Sequence, residues 1–466
     1  MRSVWIGGAR VEAPGRPGRT IQNPATLEPI ETVPECAAPE VERAMQAARQ
    51  AAPGWQALGP DGRAELLRHA ASGVRARAPE IAALSTRETG QPLLESLDGV
   101  ERAARLLEDP ALHRSASASA STPRPTPHTP TPHTPMLRAV LPAAHYPLID
   151  LCARIAPVLA AGDVAVCRAP PSTPLGSLAL VESLEALPAG VIGMVTGADE
   201  TATALIDHPW VRALSAPSSL EARRPPQLLA VPRDADLELA VAGLVAHRLY
   251  DGGQRPAVCP TVLVEQPLVS ALLERLHLYL AFLEVGDPSK PATDLGPLSS
   301  ADGSATLETQ VARTLKQGGK LVLGARRFQP WGLTGHFFQP TLFVRAPGGG
   351  IDLEEEILGP VLAICPVEDL DVSLNGLLRT RAADLTVLGG ELDRVLASLE
   401  REAPQRLRIL GPGAGAPRSP LDRVAASVRD TDITPPATTG LAPIEVEHVT
   451  ERAGWWFPYA ERPRPG

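Results

Sequence analysis

The sequence predicts an α/β protein of two domains, and three observations carry that prediction. Between about 150 and 197, helical and strand patterns alternate: Leu151, Ile155 and Val158 recur on one helical face, and the run from Gly162 to Pro174 reads as a buried strand and a turn. A second helix over 175–186 and a strand-like stretch from Leu187 to Gly197 follow. That alternation is the mark of a parallel, Rossmann-like sheet with crossover helices. A later short apolar run, Val262, Leu263 and Val264, follows the helix start Asp234-Ala-Asp-Leu and reads as a strand of a second α/β unit. Finally, 466 residues at 44% hydrophobic and 21% charged are enough for two cores of ordinary soluble composition.

The chain opens with short strands and turns over 1–35, including Val4 to Ile6 before Gly7 and Gly8. Residues 39–52 are helical, with Val41, Ala44, Met45 and Ala48 on one apolar face. Helices over 61–77 and from Pro79 to Arg87 come next, the latter with proline in its favoured first turn. Gly90 and Pro92 stop it, and a fourth helix spans about 94–108. Residues 114–135 change character. Alternating serine and alanine give way to Thr-Pro and His-Thr-Pro repeats, a composition that buries no apolar surface and favours extended, solvated chain. This segment is expected to be a linker without regular structure, and His113, His128 and His133 read as linker histidines, a metal site being the alternative. The first domain is therefore expected over 1–113 and 136–230, the second over 231–425, and a tail or oligomerisation segment over 426–466.

Composition narrows the function classes. The net charge is −9 and there is no basic block, so no nucleic-acid partner is expected. The lysines are Lys290, Lys316 and Lys320, an imbalance toward arginine that reads as coding bias. The cysteines, Cys36, Cys152, Cys167, Cys259 and Cys365, are scattered without metal-ligand spacing and read as buried free thiols. No apolar run reaches the ~18 residues of a membrane span and no leader pattern is present, so a cytoplasmic location is expected.

Ordered motifs add a resemblance. Gly253 and Gln254, the start Asp234-Ala-Asp-Leu, the Leu187-Pro-Ala-Gly-Val strand, Glu88-Thr-Gly-Gln-Pro, Phe337-Phe-Gln-Pro-Thr and Glu355-Glu-Ile-Leu-Gly-Pro-Val stand in the order and spacing of the aldehyde dehydrogenase family. The chain resembles that family over nearly its whole length, thinning after about 370. The resemblance implies a dinucleotide-binding domain, a catalytic domain, and NAD or NADP as cofactor. It also implies what has changed. The family's nucleophilic cysteine falls two residues after the glutamine, and that position is Pro256, which has no nucleophilic atom. The asparagine that helps hold the oxyanion is His145, whose ring can still donate a hydrogen bond. The lysine and glutamate that contact the adenosine ribose are Arg168 and Pro171. Where the family has a glycine turn for the pyrophosphate, this chain runs Ala216-Pro-Ser-Ser-Leu-Glu221. Glu221 reads as a surface carboxylate, with a remnant of the family's general base as the alternative. Glu356 occupies the place of the glutamate that contacts the nicotinamide ribose.

The expectation is thus a non-catalytic member of the family, binding NAD or NADP weakly through Arg168 and Glu356. It would act within a homo-oligomer or as partner of an active aldehyde dehydrogenase. The alternative is an oxidoreductase whose nucleophile has moved to Cys259, the thiol within the nucleophile segment. Candidate catalytic residues are then Cys259, Glu221 and His145.

Overall fold

A computed structural model of the chain describes residues 2–109, 136–215, 227–254, 258–345, 357–380, 384–388 and 406–410. The expected linker over 114–135 and the expected tail over 426–466 lie outside these residues. The chain divides into two compact units, Met1–Glu221 and Ala222–Gly466.

The first unit begins with β1 (Val4–Ile6), β2 (Ala9–Val11), and a hairpin of β3 (Gly18–Gln22) and β4 (Pro29–Pro34). Four helices follow: α1 (Ala38–Ala57), α2 (Gly59–Ala76), α3 (Ala78–Thr89) and α4 (Leu93–Glu108). The pattern for α1 ended at 52 because Pro53 and Gly54 come next, yet the helix continues through both to Ala57. Tertiary packing overrides the breakers. Trp55 is fully buried, and its Nε1 donates to the Leu159 carbonyl at 3.0 Å, which holds the last turn in place.

The alternating region forms as read: β5 (Leu137–Val140), α5 (Pro147–Ala160), β6 (Val164–Arg168), α6 (Pro174–Glu182), β7 (Ile192–Val195), α7 (Asp199–Ile206) and β8 (Val211–Ser215). The sheet order is β2-β1-β7-β6-β5-β8. Strands β7, β6, β5 and β8 run parallel, while β1 joins β7 antiparallel. The chain moves outward from β5 to β6 to β7 and then returns to place β8 on the other side of β5. That reversal is the switch point of a Rossmann-like sheet, and ligands of such sheets bind beyond the carboxyl ends of the strands there. Helices α1 and α7 pack together on the sheet; α5 and α6 form a second group backed by α2, α3 and α4. One apolar core joins them, with Val164, Val166, Leu151, Ile155, Leu178 and Met194 inside it.

The second unit is a seven-stranded sheet in the order β11-β14-β15-β10-β9-β16-β17. Its strands are β9 (Gln227–Val231), β10 (Val258–Glu265), β11 (Lys320–Leu323), β14 (Thr341–Val344), β15 (Val361–Val367), β16 (Asp384–Leu388) and β17 (Arg406–Leu410); β12 (Arg327–Phe328) and β13 (Phe337–Phe338) form a separate hairpin. All pairs in the large sheet are parallel except β11 with β14. Strand β9 pairs within this sheet, so residues 227–230, which the sequence reading gave to the first domain, belong structurally with the second. Helices α8 (Leu237–Leu249), α9 (Gln266–Ala281), α10 (Ala301–Lys316) and α11 (Leu370–Thr380) complete the unit. Asp236 caps α8 as its motif promises, accepting from the Glu238 and Leu239 amides at 3.0 and 3.1 Å. The helix expected over 391–401 lies outside the described residues.

Among the described residues, no helix is long and apolar enough to cross a membrane. No group of three or more His, Cys, Asp and Glu among them is placed to hold a metal.

Candidate active site

In the second unit the nucleophile segment is a left-handed turn, Tyr250–Gly253, at the end of α8 and ahead of β10. Asp251, Gly252 and Gly253 have φ of 56°, 58° and 71°. Aspartate tolerates this region and glycine occupies it freely. Gly253 is required for a second reason: a Cβ there would lie 2.1 Å from the Gly359 carbonyl oxygen. The two glycines meet because β10 and β15 are parallel neighbours, so the segments that enter them lie side by side. The Gly359 amide donates to the Gly253 carbonyl at 3.0 Å.

Arg248, on the last turn of α8, is buried at the centre of this arrangement. Its Nε donates to the Val361 carbonyl at 2.7 Å, its Nη1 to the Gly253 carbonyl at 2.9 Å, and its Nη2 to the Ile357 carbonyl. Gln254 is also buried. Its Nε2 donates to the Asp251 carbonyl at 3.1 Å, and its Oε1 accepts from the Ser299 amide at 2.8 Å. The retained Gly-Gln pair therefore ties three chain segments together. Arg248 was missed by the sequence reading, although an arginine among apolar helix residues from Leu244 to Leu249 was a signal for a buried cation with fixed partners.

Pro256, at the family's nucleophile position, and Glu356, an expected cofactor contact, lie outside the described residues. Cys259 is on β10, whose pairing with β9 shifts register between Val258 and Val262. Its backbone thus belongs to a strand in the middle of the sheet; its side chain lies outside the described residues. Glu221 also lies outside them.

In the first unit, the carboxyl ends of β5 and β6 gather the remaining candidates. The loop Leu141–Tyr146 follows β5 and carries half-buried His145. Tyr146 has φ 53° and ψ 48° directly before Pro147, where an extended backbone is the usual choice. The strained residue is held by its surroundings: the Ala143 amide donates to Asp150 Oδ2 at 2.7 Å, Arg154 clamps the same carboxylate at 2.6 and 2.9 Å, and Thr173 Oγ1 donates to the Ala144 carbonyl at 3.2 Å. Nothing local in the sequence announced this geometry.

Arg168 ends β6. Its Nε and Nη1 are buried and have no hydrogen-bond partner among the described residues. Burial pulls its pKa below the usual arginine range, Asp199 opposes that shift, Arg19 adds to it and Glu35 opposes it. Beyond Ala169, Pro170 and Pro171 offer neither a side-chain acceptor nor a backbone N–H. The N-terminus of α6 is closed from within: Glu88, at the end of α3, accepts from the Leu175 and Gly176 amides at 2.6 and 2.7 Å. Burial pushes the Glu88 carboxyl up to about 8, against the pull of those two amides and of Arg2. Sequence reading had quoted Glu88 only as part of a motif. The end of β6 therefore carries a guanidinium with two buried donors that meet no acceptor among the described residues. Residues 216–226, where the resemblance places the pyrophosphate turn, contain no glycine.

The family model described as aldehyde dehydrogenase family matches residues 12–224 and 227–375. The chain is 29% identical over 394 residues to glutarate-semialdehyde dehydrogenase of Pseudomonas aeruginosa, covering 79% of this chain and 80% of that protein. It is 28% identical over 376 residues to succinate semialdehyde dehydrogenase (NAD(P)+) of Escherichia coli, covering 76% and 80%. Among solved structures, PnpE in complex with nicotinamide adenine dinucleotide superposes with a TM-score of 0.76 at 22% identity, covering 88% of this chain and 89% of that one. The fold, the ordered motifs and these matches agree: the chain belongs to the aldehyde dehydrogenase family, whose cofactor is NAD or NADP.

Proposed function

We propose that this chain is a non-catalytic aldehyde dehydrogenase, serving as a structural or regulatory partner, in a homo-oligomer or beside an active enzyme, in the cytoplasm. The observation that carries this reading is a contrast within one short stretch of sequence. Gly253 and Gln254 remain, each bonded into the scaffold, while the position that should carry the attacking sulfur is Pro256. Proline has neither a nucleophilic atom nor a proton to exchange. Dinucleotide binding is weak in this reading, because Pro171 removes a ribose acceptor and the pyrophosphate turn lacks glycine. Arg168 and Glu356 are the residues that would keep contact with it.

A second reading makes Cys259 a relocated nucleophile, with Glu221 as base and His145 as oxyanion donor. The register shift in β10 beside it favours this reading, since an irregular strand can redirect a side chain. Against it, three residues of strand advance the sulfur by up to ~10 Å from the family's position. Pro260 also holds Cys259 in extended backbone.

One assay separates the two. Purified protein is incubated with glutarate or succinate semialdehyde, the substrates named for its relatives, and with NAD or NADP, and reduced cofactor is followed. No turnover is expected. Turnover in the wild type that disappears in Cys259→Ser would replace the first reading with the second.

A further inference from the structure

Four exposed large apolar side chains of the second unit, Leu315, Leu321, Phe328 and Trp331, fall within one stretch of chain, from the end of α10 through β11 to the β12–β13 hairpin. Hydrophobic residues exposed singly need no explanation, but a group of them marks a surface that another body covers. Trp331 is the extreme case, since its side chain is fully exposed. It is also held in that position. The Leu333 amide donates to the Pro330 carbonyl at 3.2 Å, Gly332 has a φ of 77°, and Gln329 Nε2 donates to the Leu333 carbonyl. Glycine with positive φ at the third position closes the turn. Pro330 is buried beneath it, and Trp331 stands at the outer corner.

The same stretch carries a charge opposite in sign to that of the whole chain. From Gly303 to Pro340 there are five basic residues, Arg313, Lys316, Lys320, Arg326 and Arg327, and one acid, Glu308, in a protein of net charge −9. Glu308 on α10 accepts from Arg327 at 2.6 and 2.7 Å, which ties the hairpin to the exposed side of that helix. Leu315 lies two turns further along the same side. Lys316, Lys320 and Arg326 are exposed and meet no carboxylate among the described residues.

Chemistry selects among the bodies that cover such surfaces. A second copy meeting this patch about a two-fold axis would set its basic groups against themselves. A protein partner needs about 800 Å² with a packed apolar centre, whereas here the largest apolar group projects alone from a turn. A lipid surface needs neither. An indole settles in the headgroup layer, and unpaired lysine and arginine side chains attract anionic lipids. Repulsion from acidic groups elsewhere on the chain is screened beyond about 8 Å, so the local sign decides.

We propose that the β12–β13 hairpin and the adjoining turn between α10 and β11 form a peripheral docking surface for an anionic membrane. Trp331 and Phe328 enter the headgroup layer, and Lys316, Lys320 and Arg326 face the lipid phosphates. This attachment goes beyond the loss of catalysis and does not depend on it, and it requires no membrane-spanning helix.

The test is co-sedimentation of the full chain with vesicles of phosphatidylcholine alone and of phosphatidylcholine mixed equally with phosphatidylglycerol. Binding should appear with the anionic vesicles and fall as salt is raised. Trp331→Ser should weaken it about tenfold, and Lys316→Glu combined with Lys320→Glu at least as much. None of these side chains makes a hydrogen bond or ion pair among the described residues, so the melting temperature should not change. Acyl chains carrying bromine should quench the tryptophan emission of the wild type and leave that of Trp331→Phe unquenched. Binding to neither vesicle, equal binding to both, or binding that survives intact in Trp331→Ser would overturn the proposal. Self-association in the absence of lipid that Trp331→Ser abolishes would overturn it too, making this surface a contact between copies of the chain.

Discussion

Two arginines, half-buried Arg168 in the first unit and fully buried Arg248 in the second, show how differently the same side chain is used. Arg248 ends α8 and donates to the Val361, Gly253 and Ile357 carbonyls, binding the Tyr250–Gly253 turn to the entry of β15. Arg168 ends β6 and leaves two buried nitrogens without a partner among the described residues. The first arginine is consumed by the fold and the second is not. A saturated polar group is held by the scaffold, whereas an unsaturated buried one calls for an explanation. By that standard Gly253 and Gln254, bonded to Gly359, Arg248 and Ser299, belong to the scaffold.

The sharpest way to break this comparison is at the saturated turn. Gly253→Ala places a methyl 2.1 Å from the Gly359 oxygen at a φ of 71° and should cost on the order of 3 kcal/mol or more in urea unfolding. Gly252→Ala is the control: its φ is 58°, but the nearest atom is the flexible Gln254 Nε2 at 3.6 Å, so only about 1 kcal/mol is expected. Equal losses from the two would show that close approach to Gly359 is not what fixes the turn.

Arg248→Met follows in size. It removes hydrogen bonds to three backbone carbonyls, of which Gly253's keeps the Gly359 amide, and should lower stability by about 2–4 kcal/mol, measured by the same unfolding curve. A loss within error of zero would mean that the turn holds without its cation.

Glu88 sharpens the other side, because it closes the helix that follows Arg168. Its carboxyl is raised from 4.5 to about 8 on folding, so the folded state holds a proton there that the unfolded chain has released. The contribution of this group is therefore best below about 4.5 and is lost as pH rises toward 8, at no more than about 1.4 kcal/mol per pH unit. Glu40, Glu80 and Glu101 have lowered values, and their contribution is lost at the acid end, below about 4.5, a separate window. Unfolding measured from pH 5 to 8 should show a falling stability that flattens in Glu88→Gln. An unchanged slope in the variant would assign the pH dependence elsewhere.

The smallest expected effect is the most telling. Arg168→Met removes two unsatisfied donors and should leave stability unchanged or slightly raised in thermal unfolding. A loss comparable to that of Arg248→Met would show that Arg168 is scaffold after all, and the contrast between the two arginines would collapse.

Much of this was legible in the residues. The alternation from 150 to 197 gave the parallel sheet because helix and strand periods are local properties of a few successive side chains. Asp236 announced its cap, and the proline two places after Gln254 is read from the sequence alone. Arg168 falls in the stretch read as a strand and a turn, and the structure makes it the last residue of the strand. Less legible was where α1 ends. Local rules stop it at Pro53, and it continues because Trp55 finds a carbonyl 104 positions away. Strand β9 likewise belongs to the second sheet because its partners, β10 and β16, lie later in the chain.

The sequence by itself determined the class of fold, the order of its elements and the proline two places after Gln254, since each depends on the identity and spacing of neighbouring residues. Only the tertiary structure decided which polar groups are satisfied. Arg248 meets Val361 across 113 positions, Glu88 meets Leu175 and Gly176 across 87 and 88, and Gly253 meets Gly359 because two parallel strands bring their entries together. Arg168 acquires its meaning in the same way, since a donor is known to lack an acceptor only once every neighbour that folding brings to it has been placed.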